Sequence, residues 1–217
     1  MNTRTTTTPE VVSPLDLAPV LPVVVIPDAE LAVPLARALL AGGLRAIEIT
    51  LRSTAALEAC RRITAEVPGM TVGVGTVRAP AHVTEARDAG AQFLVSPGAT
   101  PGLLDALEDS CLPFLPGTAT ISEMLAVAER GITEMKLFPA EVVGGTALLR
   151  AVHGPLPDLR FCPTGGITPR TAATYLTQPN VGCVGGSWLT PADALNRRDW
   201  DGISTLAAAA SSLRTAA

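Results

Sequence analysis

The feature that most constrains this chain is a repeated alternation of short apolar segments with longer helix-like ones. Strand character lies at residues 23–26, 46–50, 71–74, 92–96, 113–115, 134–138, 160–162 and 181–184. Helical patterns occupy residues 29–41, 54–67, 81–89, 101–110, 121–130, 146–152 and 169–176. Strand starts recur at roughly 20–25 residues, the length of one strand, one helix and two short loops. Strands that alternate with helices pair in parallel through right-handed crossovers. The pattern predicts an α/β fold, a single (β/α)8 TIM barrel over residues 14–217. Glycine punctuation agrees. Gly42-Gly43, Gly90 and Gly131 each close a helical run before the next strand, where a left-handed cap favours Gly. A doubly wound open sheet would want a G-x-G-x-x-G turn after the first strand, and Ile26-Pro27-Asp28-Ala29 offers none.

Composition narrows the function. The chain has 217 residues, 47% hydrophobic and 17% charged, which suits one domain with ample core. A net charge of −4 and 3% aromatics disfavour nucleic-acid binding. No apolar run approaches the ~20 residues of a membrane span. Residues 1–13 are polar and Thr-rich and are expected to form a disordered tail. Pro14, Asp16, Pro19 and Pro22 interrupt the apolar stretch that follows, so no secretory signal is read there. Cys60, Cys111, Cys162 and Cys183 form no C-x-x-C pair and are expected to be buried, reduced thiols of a cytoplasmic protein. His82 and His153 lie far apart, so no histidine-rich metal site is expected. The stretch after Leu206 reads as a last helix that frays.

Strands of a parallel barrel are covered on both faces and should be almost wholly apolar. Two break that rule in an ordered way. In the second, Ile47, Ile49 and Leu51 share one parity, while Glu48, Thr50 and Arg52 share the other. If the apolar set packs on helices, Glu48 and Arg52 point into the barrel. A buried structural pair is the alternative, but such pairs are costly and contribute little net stability. In the sixth strand, Met135 and Leu137 share a face and Lys136 points the other way. Of the 16 basic residues, Lys136 is the single lysine. A solvated cation can be Arg or Lys, whereas a nucleophilic amine cannot be Arg. The alternative is chance in an Arg-biased composition, with the lysine reaching out to a surface.

Two loops suit an anion. Pro163-Thr164-Gly165-Gly166 follows the seventh strand and Gly185-Gly186-Ser187-Trp188 the eighth. Glycine lets backbone N–H groups approach a phosphate, and barrel enzymes often bind phosphate at these two strand ends. Thr76 closes the third strand and offers a hydroxyl to a substrate carboxylate, and Ser96-Pro97-Gly98 closes the fourth and shapes the pocket wall.

The segments Ile47-Glu-Ile-Thr-Leu-Arg52, Gly75-Thr76, Ser96-Pro97-Gly98, Lys136-Leu-Phe-Pro-Ala-Glu141, Phe161-Cys-Pro-Thr-Gly-Gly166 and Gly185-Gly-Ser-Trp188, in this order, resemble the KDPG aldolase family. Its members cleave 2-dehydro-3-deoxy-6-phosphogluconate (KDPG) and overlap with 4-hydroxy-2-oxoglutarate aldolases. The likeness runs over about residues 22–195. It implies a (β/α)8 barrel that uses no metal or other cofactor and assembles as a homotrimer. It makes Lys136 the Schiff-base lysine and Glu48 the acid/base. Arg52 and Thr76 become ligands of the pyruvyl carboxylate, with Phe138 and Pro97 as pocket wall. Thr164 would contact the substrate, and Gly165, Gly166, Gly185, Gly186 and Ser187 would lie near the phosphate. The implied ligands are a 2-oxo acid sugar phosphate and pyruvate, with no nucleic acid and no membrane. Competing readings are action on 4-hydroxy-2-oxoglutarate or the galactonate epimer, a non-catalytic sugar-phosphate sensor, and a phosphate-binding isomerase. Neither of the last two explains a buried nucleophile.

Overall fold

The computed structural model describes residues 12–213. Strands and helices alternate: β1 (Val20–Val24), α1 (Ala32–Ala41), β2 (Ala46–Thr50), α2 (Ala56–Glu66), β3 (Thr71–Gly75), α3 (Pro80–Asp88), β4 (Phe93–Val95) and α4 (Pro101–Asp109). There follow β5 (Phe114–Leu115), β6 (Gly117–Thr118), α5 (Ile121–Ala128), β7 (Glu134–Leu137), α6 (Gly145–His153), β8 (Arg160–Pro163), α7 (Pro169–Leu176), β9 (Val184–Gly186), α8 (Ala192–Arg197) and α9 (Trp200–Ser211). The strands form a curled parallel sheet of six, in the order β5-β4-β3-β2-β1-β9, and a second parallel sheet, β6-β7-β8. Pro116 alone separates β5 from β6. On the other side, the bridges Phe161↔Val181 and Thr164↔Gly185 link β8 with β9.

Local chemistry explains the helix starts. Pro stands in the first turn of α3, α4 and α7, where its missing N–H is no loss. Thr120 and Glu123 form a reciprocal capping box on α5. Asp199 caps α9 by accepting from the Gly202 backbone N–H.

Burial follows strand parity. Ile47, Ile49, Met135 and Leu137 belong to the large apolar cluster shared with the helices. A smaller cluster joins Leu15, Leu21, Ala46, Phe93, Val95, Leu115, Cys162 and Cys183. Gly73 leaves room there for the Phe93 ring, which comes within 2.1 Å of where a Cβ would sit.

Several boundaries differ from the sequence reading. β1 begins three residues earlier, because Val20–Pro22 pairs with β9 while pairing with β2 starts only at Val23. Pro22 therefore needs no N–H towards β2. β9 lies later than residues 181–184, leaving Val181 as a lone bridge. The fifth strand, expected to end at residue 115, is followed after Pro116 by a further short strand, β6, and α8 had no clear sequence signal. Of the expected tail, residues 1–11 lie outside the described residues, while the Ser13 hydroxyl donates to the Glu134 carboxylate. Residues 214–217 also lie outside the described residues.

The cysteine expectation needs one correction. Cys60, Cys162 and Cys183 are buried thiols, but Cys111 is exposed. It sits just past α4 with φ 57°, where the chain turns outward.

Candidate active site

The two charge-bearing strands meet across the sheet interior. Lys136 Nζ donates to Glu48 Oε1 at 3.2 Å, with side chains only 7% and 1% exposed. The second carboxylate oxygen of Glu48 is buried with no hydrogen-bond partner among the described residues. Such an atom is costly to leave unpaired and is suited to a group that arrives with substrate. The carboxylate has space only because position 75 is glycine: an added Cβ there would lie 2.0 Å from Oε1 and 2.6 Å from Cδ.

This pair forms the floor of a cavity of about 360 Å³. Of the residues expected in the site, Lys136, Glu48, Arg52, Thr76, Pro97, Phe138, Thr164, Gly165, Gly166, Gly185 and Ser187 all line it. Gly186 does not. It lies behind the wall, with the Trp188 ring 2.4 Å from where its Cβ would be, so the Trp188 ring backs this loop. Three lining residues were not anticipated: Val23, Thr50 and Ile167. Thr50 carried a signal, since it shares the parity of Glu48.

Each wall is held by identifiable bonds. The Phe138 ring centroid lies 5.6 Å from Lys136 Nζ, a cation–π contact. Ser96 fixes the turn at Pro97 by donating to Gly98 O at 2.8 Å and accepting from the Gly117 N–H at 3.3 Å. Thr76 has φ 61°, a left-handed conformation that is strained for a β-branched residue and typical of functional positions. Thr164 Oγ1 occupies the space a Cβ at Gly185 would need, 2.1 Å away. Gly165 and Gly166 have φ 103° and 82°. Their loop rests on the segment after β7. Ala140 N donates to Thr164 O at 2.8 Å and Glu141 N to Gly165 O at 3.1 Å. The Glu141 side chain lies under Gly166 and accepts from Tyr175 Oη at 2.8 Å. That bond, after burial itself, keeps the Tyr175 phenol well above its usual range.

Charge in the cavity comes from Arg52, Lys136 and Glu48. Next to Lys136 on β8 sits Cys162, whose thiol is held below the usual range by its hydrogen bond with Cys183 and by the Lys136 charge, against the effect of burial. Among the described residues, no group of three or more His, Cys, Asp or Glu side chains is arranged to hold a metal ion. No helix among them is long and apolar enough to cross a membrane.

A buried amine against a carboxylate, facing a cationic side chain and two glycine loops, is a site for carbonyl chemistry on an anionic substrate. Comparisons with known proteins agree. The family model for KDPG and KHG aldolase matches residues 11–206. The chain is 49% identical over 193 residues to the KHG/KDPG aldolase of Escherichia coli, covering 89% of this chain and 91% of that one. A crystal structure of KDPG aldolase from Legionella pneumophila, with pyruvate captured as a covalent carbinolamine intermediate, superposes with TM-score 0.89 at 42% identity, covering 91% of this chain and 96% of that one. The KDPG aldolase of Zymomonas mobilis with 3-phosphoglycerate superposes with TM-score 0.87 at 44% identity, over 92% and 93% of the two chains. On the match of the family model and these relatives, the chain belongs to the KDPG and KHG aldolase family.

Proposed function

We propose that this protein is a metal-independent class I aldolase that reversibly cleaves 2-dehydro-3-deoxy-6-phosphogluconate to pyruvate and glyceraldehyde 3-phosphate. The observation that carries the reading is the buried Lys136–Glu48 pair at 3.2 Å on the floor of the cavity. Cleavage must leave an electron pair on the carbon beside a ketone, and a protonated imine accepts it far better than the ketone does. Lys136 attacks the C2 carbonyl as the neutral amine, with the Glu48 carboxylate at hand to accept the surplus proton. Glu48 returns that proton to the carbinolamine hydroxyl, which leaves as water to give the iminium. Glu48 then takes the C4 hydroxyl proton, directly or through a water, and the C3–C4 bond breaks. Glyceraldehyde 3-phosphate leaves. The enamine is protonated on C3, and hydrolysis returns Lys136 and pyruvate.

Arg52 and Thr76 receive the carboxylate, Pro97 and Phe138 form the walls, and Thr164 contacts the sugar chain. The N–H groups of Gly165, Gly166 and Gly185, with the Ser187 hydroxyl, receive the phosphate, and Gly186 supports that loop from behind. The protein's net charge opposes an anionic substrate, so attraction is local. The covalent pyruvate intermediate of the Legionella pneumophila relative supports imine chemistry here.

The same reading closes the two sheets into one eight-stranded barrel, with β5 and β6 as a single strand broken at Pro116. The bridges between β8 and β9 support it. A homotrimeric assembly rests on the family resemblance and a cytoplasmic location on the cysteine usage, and light scattering tests the first.

Borohydride reduction in the presence of pyruvate, followed by peptide mapping, tests the chemistry. A stable adduct on Lys136 is expected. A folded protein that gives none with pyruvate in excess refutes the aldolase reading. Relative rates on KDPG, its galactonate epimer and unphosphorylated 4-hydroxy-2-oxoglutarate decide the substrate.

A further inference from the structure

Arg52 is weakly anchored for a residue that must meet a carboxylate at a fixed angle. It lies just past the end of β2. It borders two cavities: the one above Lys136, and a neighbour of about 220 Å³ walled by Val23, Val25, Thr190 and Leu195. A guanidinium on a flexible stem can turn into either. Among the described residues, Arg52 takes part in no ion pair, and the bond that orients its side chain runs from Nε to Thr50 Oγ1 at 3.2 Å.

We propose that Thr50 is a positioning residue that keeps the Arg52 guanidinium over Lys136. Thr50 is 1% exposed and lines the main cavity. Its hydroxyl proton is committed to Val24 O at 2.6 Å. The oxygen therefore faces Arg52 only as an acceptor, and it suits the Nε donor. The strand itself does not require this hydroxyl, because valine has the same shape and a β-preference at least as high. Nor does the end of β2 depend on it alone: Ser53 Oγ donates to Ile26 O at 2.6 Å and fastens the same strand end to the segment after β1. What the hydroxyl adds is direction. It chooses between two cavities for the Arg52 cation that meets the carboxylate of a 2-oxo acid.

The inference rests on the reading that Arg52 binds that carboxylate, and the test keeps the two apart. The pyruvate concentration giving half-maximal borohydride trapping on Lys136 is measured for the wild type, Thr50→Val and Thr50→Ser, and for Arg52→Ala with and without Thr50→Val. Thr50→Val is expected to raise it about three- to tenfold, the effect of losing one hydrogen bond to a charged group. Thr50→Ser keeps the hydroxyl and stays within about twofold of the wild type. In the Arg52→Ala background Thr50→Val adds nothing, because the residue it acts through is gone. An unchanged Thr50→Val value overturns the proposal, as does an equal further loss on top of Arg52→Ala. Thr50→Ala replaces Thr50→Val if circular dichroism shows the latter misfolded, under the same criteria. Absence of any wild-type adduct would instead refute the aldolase reading.

Discussion

A methyl group at position 75 should separate imine formation from bond cleavage. The Cβ of Gly75→Ala would lie 2.0 Å from Glu48 Oε1 and 2.6 Å from both Cδ and Cγ. An ordinary contact needs about 3.5 Å, so the carboxylate must move by roughly 1–1.5 Å. It has little freedom to do so, being buried and bonded to Lys136 Nζ on one side. Overpacking of this kind costs about 1–3 kcal/mol of stability. A misplacement of about 1 Å at the proton-transferring group costs on the order of 100-fold in rate. Lys136 keeps its backbone setting, held by pairing with β6 and β8. The expected result is a kcat for KDPG cleavage reduced about 100-fold, with Lys136 still trapped at saturating pyruvate. Urea unfolding gives the stability term, and a coupled assay for glyceraldehyde 3-phosphate gives kcat. A kcat within threefold of the wild type would refute the reasoning, because the glycine would then not be making room for a working carboxylate.

Other perturbations probe separate parts of the site. Lys136→Arg should abolish turnover and borohydride trapping while the far-ultraviolet circular dichroism is preserved, since a guanidinium remains protonated and forms no imine. Glu48→Gln should still trap pyruvate but cleave at least about 100-fold more slowly, the contribution of a positioned acid/base. Tyr175→Phe removes the hydroxyl that braces Glu141 beneath Gly166. It should raise KM for the phosphorylated substrate about threefold or more and leave the rate on 4-hydroxy-2-oxoglutarate unchanged. In the α5 capping box, the Ala119 and Thr120 N–H groups hold the Glu123 carboxyl below its ordinary range. Its contribution is therefore complete at neutral pH and is lost as pH falls from the ordinary carboxylate value through the lowered one. Glu123→Gln should lower stability near pH 7 and converge with the wild type once the pH has fallen through that lowered range, as read by urea titration.

Much of the fold was legible because apolar β-branched segments and proline-led helices recur along the chain. Ala46–Thr50 and Pro169–Leu176 coincide with the periodic pattern. The site was legible where charge violated strand parity, at Glu48 and Lys136. What escaped depends on partners distant in sequence. Whether Pro22 starts or interrupts a strand is decided by β9, most of the chain away. The necessity of glycine at position 75 is invisible until Glu48 is placed beside it. Gly186 read like its neighbour Gly185, yet only the latter borders the cavity, because the Trp188 ring covers the former.

The pairing of Val20 with Val184 also bears on how the chain is made. β1 finds one of its two strand neighbours only after the chain from Val24 to Val184 has been synthesised. At about 5–20 residues per second, that edge of β1 waits roughly 10–30 s. The ion pair of Arg160 with Asp16 is delayed in the same way, since it joins the start of the described chain to β8. During that interval Val20–Val24 is an apolar strand with an open edge, the kind of segment that chaperones bind and that seeds aggregation. Chains arrested before Val184 should be cut by protease around β1, where the released protein resists.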